Sequence, residues 1–182
     1  MTNSITGGRF VQPDVVVSHF HLKEGDIVAD YGAGSGFFLR ALSTAVGESG
    51  KVYAVEIQKN LVEKLGELAQ LQGLQHVLPL WCDLETAGGI KVADNELDAV
   101  VLVNTLFLIE DKETAITEML RTLRPGGQFI IVDWTESFAG LGPQPGHVFP
   151  LADTVALLES QGCTFEREFP AGDHHYGVAF KK

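Results

Sequence analysis

Three glycines alternate in Asp30-Tyr31-Gly32-Ala33-Gly34-Ser35-Gly36, between the apolar run Ile27-Val28-Ala29 and an amphipathic run that opens at Phe37. Residues without a Cβ let a backbone turn sharply and approach a ligand closely, so the spacing points to a nucleotide cradle at a strand-to-helix junction. Acids frame it. Asp30 stands two residues before the first glycine, Glu56 ends Val52-Tyr53-Ala54-Val55-Glu56, and Asp83 follows Leu80-Trp81-Cys82. Glu56 lies about 20 residues past the turn, where a carboxylate meets ribose hydroxyls in dinucleotide-type folds. Asp83 has the place to accept from an adenine amino group, with Leu84 adding an apolar contact and a backbone N–H; an Asp there also serves as a helix cap. Tyr31, Ala33 and Ile57 flank these positions and are read with them as ligand contacts. The alternative for the whole stretch is a structural turn with surface acids.

The ligand follows from charge. Pyrophosphate binders carry G-x-G-x-x-G, whereas this chain has G-x-G-x-G followed by Phe37. A carboxylate such as Asp30 repels a pyrophosphate and attracts a cation. S-adenosylmethionine has no phosphate and carries a sulfonium and an ammonium group, so it fits the acids. Methyl transfer from a sulfonium is an in-line displacement that depends on positioning. A general base is needed only if the acceptor must lose a proton. Groups for this work belong at the carboxyl ends of the fourth and fifth strands. Asn104 is the first candidate, holding either the donor's methionine end or the acceptor; the bland reading is a cap or loop residue. Asp133 and Trp134 would wall the acceptor. His147 is the candidate base, set against an ordinary exposed loop histidine. Phe10, after Gly7-Gly8, would fold over the donor as a flap. No metal site is expected: adjacent His174 and His175 point to opposite faces of a strand, and His19 and His21 precede the first strand.

Strand-like and helix-like runs alternate along the chain, which predicts a parallel sheet with crossover helices. The strands are expected at Ile27–Tyr31, Lys51–Ile57, Val77–Cys82, Leu97–Val103 and Phe129–Asp133. Helices are expected from Phe37 to Val46, along the Leu61/Leu65/Leu68/Leu71 stripe, and from an Asp111 cap with Ile116, Met119, Leu120 and Leu123 facing inward. Leu123-Arg124-Pro125-Gly126-Gly127 ends the last of these. Glu136 to Pro150 is rich in Gly and Pro and reads as a long loop. A helix over Leu151–Gln161 precedes strands Thr164–Phe169 and His175–Phe180, whose short link predicts an antiparallel hairpin. The sum is a seven-stranded α/β sheet with one reversed strand, in a single domain over residues 1–182 whose first 25 residues form a flap.

These motifs resemble class I S-adenosylmethionine-dependent methyltransferases over nearly the whole chain. The matching segments are V-A-D-Y-G-A-G-S-G-F-F at Val28–Phe38, the acid Glu56, and L-R-P-G-G at Leu123–Gly127. K-V-Y-A-V-E at Lys51–Glu56, V-D-W at Val132–Trp134, G-P-x-P at Gly142–Pro145 and H-Y-G-V at His175–Val178 are similar to the small branch related to ubiquinone/menaquinone C-methyltransferases. The resemblance implies a Rossmann-like doubly wound sheet of order 3-2-1-4-5-7-6 with strand 7 antiparallel. It also implies S-adenosylmethionine as donor and S-adenosylhomocysteine as product. Asp30, Gly32, Gly34 and Gly36 would line the methionine half, Glu56 the ribose, and Asp83 with Leu84 the adenine. Two departures stand out. No long N-terminal helical lid precedes the first strand, and Asn104-Thr105-Leu106-Phe107 replaces the Asn/Asp-Pro-Pro-Tyr/Phe motif of nucleobase amine methylation.

A formal net charge of −11 over 182 residues repels polyanions and anionic lipid at long range. No apolar run reaches the roughly 18 residues of a membrane span. The two cysteines, Cys82 and Cys163, read as thiols in a reducing cytoplasm. The expected protein is a cytoplasmic monomer or homodimer acting on a small-molecule acceptor, without membrane or nucleic-acid partner. The rivals are an RNA or protein methyltransferase, a non-catalytic S-adenosylmethionine-binding module, and a dinucleotide oxidoreductase. Asn104 with Asp133 favours catalysis, and the glycine spacing disfavours the oxidoreductase.

Overall fold

The computed structural model describes residues 11–138, 140 and 142–182. A short helix, α1 (Pro13–Val17), precedes β1 (Ile27–Tyr31), α2 (Leu39–Val46), β2 (Lys51–Glu56), α3 (Lys59–Leu71) and β3 (Val77–Trp81). After β4 (Leu97–Val103) come α4 (Lys112–Thr122), β5 (Leu123–Trp134), α5 (Leu151–Ser160), β6 (Thr164–Phe169) and β7 (His175–Lys181). The seven strands form one sheet in the order β3-β2-β1-β4-β5-β7-β6. β1 to β5 run parallel, and β7 lies antiparallel to both β5 and β6. The expected strand order and the reversed last strand are both present.

Buried residues on consecutive positions, such as Val28-Ala29 and Val100-Val101-Leu102, mark strands covered on both faces. On one face Tyr31, Leu102 and Ile131 pack with Ile116 and Met119 of α4 and Leu158 of α5. On the other, Val28, Ala54 and Ile130 pack with Val16 of α1, Leu39 of α2 and Leu65 of α3. β1 therefore sits where the connections diverge, between β2 and β4. A crevice opens at the carboxyl ends of strands at such a switch point.

The structure departs from the sequence reading in several places. α2 begins at Leu39 rather than Phe37, because Gly36 holds a left-handed φ of 82° and the next two residues complete a turn. The flap expected of residues 1–25 is docked over much of its described part: Val16, Val17 and Phe20 are buried. His19 there stacks on Phe169. Phe10 lies outside the described residues. Leu123–Gly127 does end α4, but the chain re-enters the sheet at once. Leu123 pairs with Leu97 and Gln128 with Ala99, so the segment between is an irregular bulge with Gly126 at φ 76°. The Glu136–Pro150 loop carries a 3-10 turn at Pro145–His147 and folds Gly142 onto Trp134, where a Cβ would come within 2.5 Å of the indole. His174 precedes β7 with a φ of 63°, so the two adjacent histidines are not both strand residues.

Cys82 and Cys163 are buried free thiols. Among the described residues no helix is long and apolar enough to cross a membrane.

Asp111 caps α4, its carboxylate accepting from the Thr114 amide at 3.1 Å and from the Thr114 hydroxyl at 2.7 Å. Asp111→Ala should lower the midpoint of urea unfolding, with an unchanged denaturant slope.

Candidate active site

A hollow of about 450 Å³ opens at the carboxyl ends of β1, β2, β3 and β4. The glycine turn forms its floor, and each glycine is there for a separate reason. Gly32 (φ 83°) lies against Thr105, whose Oγ1 would be 2.4 Å from an added Cβ. Gly34 (φ 55°) meets nothing nearer than 3.9 Å among the described residues, so the backbone is open to a ligand there. Gly36 (φ 82°) instead faces α3, where an added Cβ would press at 2.9 Å on Leu65 and Leu68. Packing alone thus accounts for Gly36, which is not among the lining residues. Tyr31 is not among them either. Strand alternation turns its side chain into the opposite core, fully buried, with its hydroxyl 2.9 Å from Thr122 Oγ1.

Asp30, Gly32, Ala33, Gly34, Glu56, Ile57, Asp83, Leu84 and Asn104, all anticipated from sequence, do line the hollow together. Glu56 is fixed by three backbone N–H groups. Oε2 accepts from Gly34 at 3.1 Å, and Oε1 accepts from Ile57 at 2.8 Å and Gln58 at 2.9 Å. One carboxylate therefore ties the glycine turn to the tip of β2. Asp30 is 3% exposed, and burial, reinforced by the nearby Glu56 charge, pushes its carboxyl up to about 7. Asp83 accepts from the Glu85 amide at 3.0 Å and the Thr86 hydroxyl at 2.9 Å, a local turn that also presents it to the hollow.

Asn104 closes the opposite wall. It adopts φ 53°, a conformation in which asparagine is enriched among L-residues, and its N–H donates to Val132 O at 2.8 Å. Its Oδ1 is buried without a hydrogen-bond partner among the described residues. An orphaned acceptor of this kind calls for an explanation, and a ligand N–H is one. Asp133 stands behind this wall rather than on it. It is 1% exposed, accepts from Phe107 N at 3.3 Å and Trp134 N at 2.8 Å, and burial raises its carboxyl to about 6. It positions the segment after β4. Trp134 is 8% exposed, packs on His175 with ring centres 4.2 Å apart, and does not line the hollow. His147 is exposed on its 3-10 turn and is also absent from the lining, so the structure does not bring this candidate base to the site.

Sequence reasoning missed Val11, Gln58, Glu85, Thr105, Leu108 and Ile109, which also line the hollow. Thr105 was recoverable as the neighbour of Asn104 and the partner of a glycine. Glu85 gave no signal, being one more acid in a chain with 24. The charge of the hollow is one-sided: among the described residues Asp30, Glu56, Asp83 and Glu85 line it, with no Lys, Arg or His. Four carboxylates, a bare glycine backbone and an unpartnered amide oxygen fit a cationic nucleoside with an amino-acid tail. They do not fit a phosphate ester.

Comparison with known proteins agrees. A family model described as "Methyltransferase domain" matches residues 29–131, more than half of the chain. The chain is 29% identical over 139 residues to the ubiquinone/menaquinone biosynthesis C-methyltransferase UbiE of Neisseria meningitidis serogroup C, covering 76% of this chain and 55% of that protein. It is also 29% identical over 119 residues to the UbiE of Haemophilus ducreyi, covering 63% and 44%. The chain thus spans about half the length of the curated relatives it matches. Among solved structures, a SAM dependent methyltransferase from Aquifex aeolicus superposes with a TM-score of 0.86 at 31% identity, over 94% of this chain and 89% of that one. The cyclase SpnF, at 15% identity and a TM-score of 0.79 over 98% and 87%, shares the fold alone. On the domain match and the Aquifex relative together, the chain belongs to the S-adenosylmethionine-dependent methyltransferases.

Proposed function

We propose that the protein transfers a methyl group from S-adenosylmethionine to a small, largely apolar acceptor. The observation that carries this reading is the one-sided lining: among the described residues, four carboxylates and no basic side chain surround a bare glycine turn. When bound, S-adenosylmethionine supplies an electrophilic methyl group on a sulfonium. In this reading Glu56, already held by three amides, takes the ribose hydroxyls with its remaining lone pairs. Asp30 opposes the donor's positive charge, Asn104 Oδ1 accepts from its ammonium group, and Asp83 with Leu84 receives the adenine. Fixing both ends leaves little freedom at the reacting carbon, and positioning is the main contribution such a site can make.

The acceptor side is argued from the rim. Phe37, Ile57 and Leu108 line the hollow yet are 65%, 55% and 65% exposed, a costly arrangement unless an apolar partner covers them. Two arginines are engaged elsewhere: Arg121 holds Glu118, Asp94 and the Ile90 carbonyl, and Arg124 pairs with Asp98. With a net charge of −11, this favours a small molecule over RNA. C-methylation, suggested by the names of the UbiE relatives, is the chemistry we favour within this class.

Three outcomes test the reading. Glu56→Ala should weaken S-adenosylmethionine on the order of tenfold or more in calorimetry, for loss of a charge-assisted pair; unchanged affinity removes the ribose role. Below its raised pKa Asp30 holds a proton that a cationic ligand must expel. Donor affinity should therefore fall as pH drops from about 8 to about 6, with proton release on binding, and Asp30→Asn should abolish that dependence. A pH-independent wild type contradicts the charge assignment. Incubation with methyl-labelled donor and a metabolite extract should label an apolar small molecule. Donor binding without any labelled product would leave a binding module, and labelled RNA or protein would overturn the acceptor class.

A further inference from the structure

The far rim of the hollow is a strap, Thr105 to Asp111, that links β4 to α4 and supplies Leu108 and Ile109 to the lining. Two carboxylates from other parts of the chain pin it. Asp133, from β5, accepts the Phe107 N–H. At the other end Glu85 Oε2 accepts from Glu110 N at 3.0 Å and from Asp111 N at 2.6 Å. Glu85 comes from the loop after β3, and it lines the hollow beside Asp83 and Leu84. Its own amide donates to Asp83 Oδ1, so the residue that pins the strap is oriented by the acid at the adenine end.

We propose that Glu85 is a positioning residue that couples occupation of the adenine end to the placement of the Thr105–Asp111 strap, and so to the apolar lip on which an acceptor rests. This rests on reading the Asp83 end as the adenine end. Asp83 spends both oxygens on Glu85 N and Thr86 Oγ1. A ligand amino group must share one of those oxygens, which acts directly on the backbone carrying Glu85. The loop gains a ligand contact on one side and transmits the added order through a two-pronged, charge-assisted bond on the other. At this end the strap is open to solvent: Leu108 is 65% exposed and Glu110 and Asp111 are exposed, whereas Leu106 and Ile109 are buried in the core. A plain helix cap would hold the same amides whether or not the hollow is filled. The coupling is the part a static capping role does not supply.

Amide hydrogen exchange distinguishes the two, with S-adenosylhomocysteine as the probe. In the wild type, the ligand should slow exchange at Glu110 and Asp111 by about tenfold or more. It should also slow Gly34, which reports occupation of the glycine turn. In Glu85→Ala, Glu110 and Asp111 should exchange fast and ignore the ligand, while Gly34 still responds. Glu85→Gln keeps a carbonyl acceptor and should restore part of the response, and it serves alone if the alanine variant does not fold. Glu110 and Asp111 protection that is high without ligand and unchanged by it would overturn the coupling, as would an equal ligand response in wild type and Glu85→Ala. If Gly34 does not respond in the wild type either, the cofactor reading itself fails, and the coupling with it.

Discussion

Three backbone N–H groups converge on the Glu56 carboxylate, from the glycine turn and from the entry to α3. The hollow depends on that convergence. A buried anion is tolerable only if its lone pairs are met, and amides from two separate segments meet these. The glycine turn cannot drift from β2 without stranding the charge. Asp30 sits close enough for Glu56 to oppose its ionisation, so the site holds a surplus of negative potential that a cation relieves. Shape and charge preference thus come from one side chain.

Around this point the sheet acts as a frame. β1 between β2 and β4 sets the glycine floor against Asn104, and β5 holds Asp133 under the strap that follows β4. The tips of these strands carry the polar groups of the site. Asp30, Glu56 and Asn104 reach the lining, while Asp133 supports it from behind. The buried β4 and β5 runs leave such residues nowhere to go but the strand tips.

Most of this was legible in the residues, because the signals were local. Alternating glycines, an acid at the end of an apolar run and a short hairpin link each have a mechanical meaning within a few positions. Tyr31 and Gly36 fall outside the lining because a motif reports backbone neighbourhood and not direction. Alternation along β1 sends Asp30 to the hollow and Tyr31 into the opposite core, where Thr122 meets its hydroxyl across 91 positions of sequence. His147 has the chemistry of a base, yet its loop does not bring it to the hollow, and nothing nearby in sequence fixes that path. Glu85 could not be found at all: its meaning lies in two amides, 25 and 26 residues away. The bulge at Leu123–Gly127 was half legible. Pro125 and the paired glycines do stop the helix, but only long-range pairing with β4 draws the segment back into the sheet.

The neighbouring placement of β1 and β4 has a bearing on how the chain assembles. The floor and the far wall of the hollow, at residues 32–34 and 103–109, lie far apart in sequence, and α2, β2, α3 and β3 must be laid down between them. Closing a loop of that length comes before its contacts can reward it. The hollow is complete only once β4 has paired with β1. A ligand that binds there stabilises the paired sheet and not a chain in which β4 is still apart.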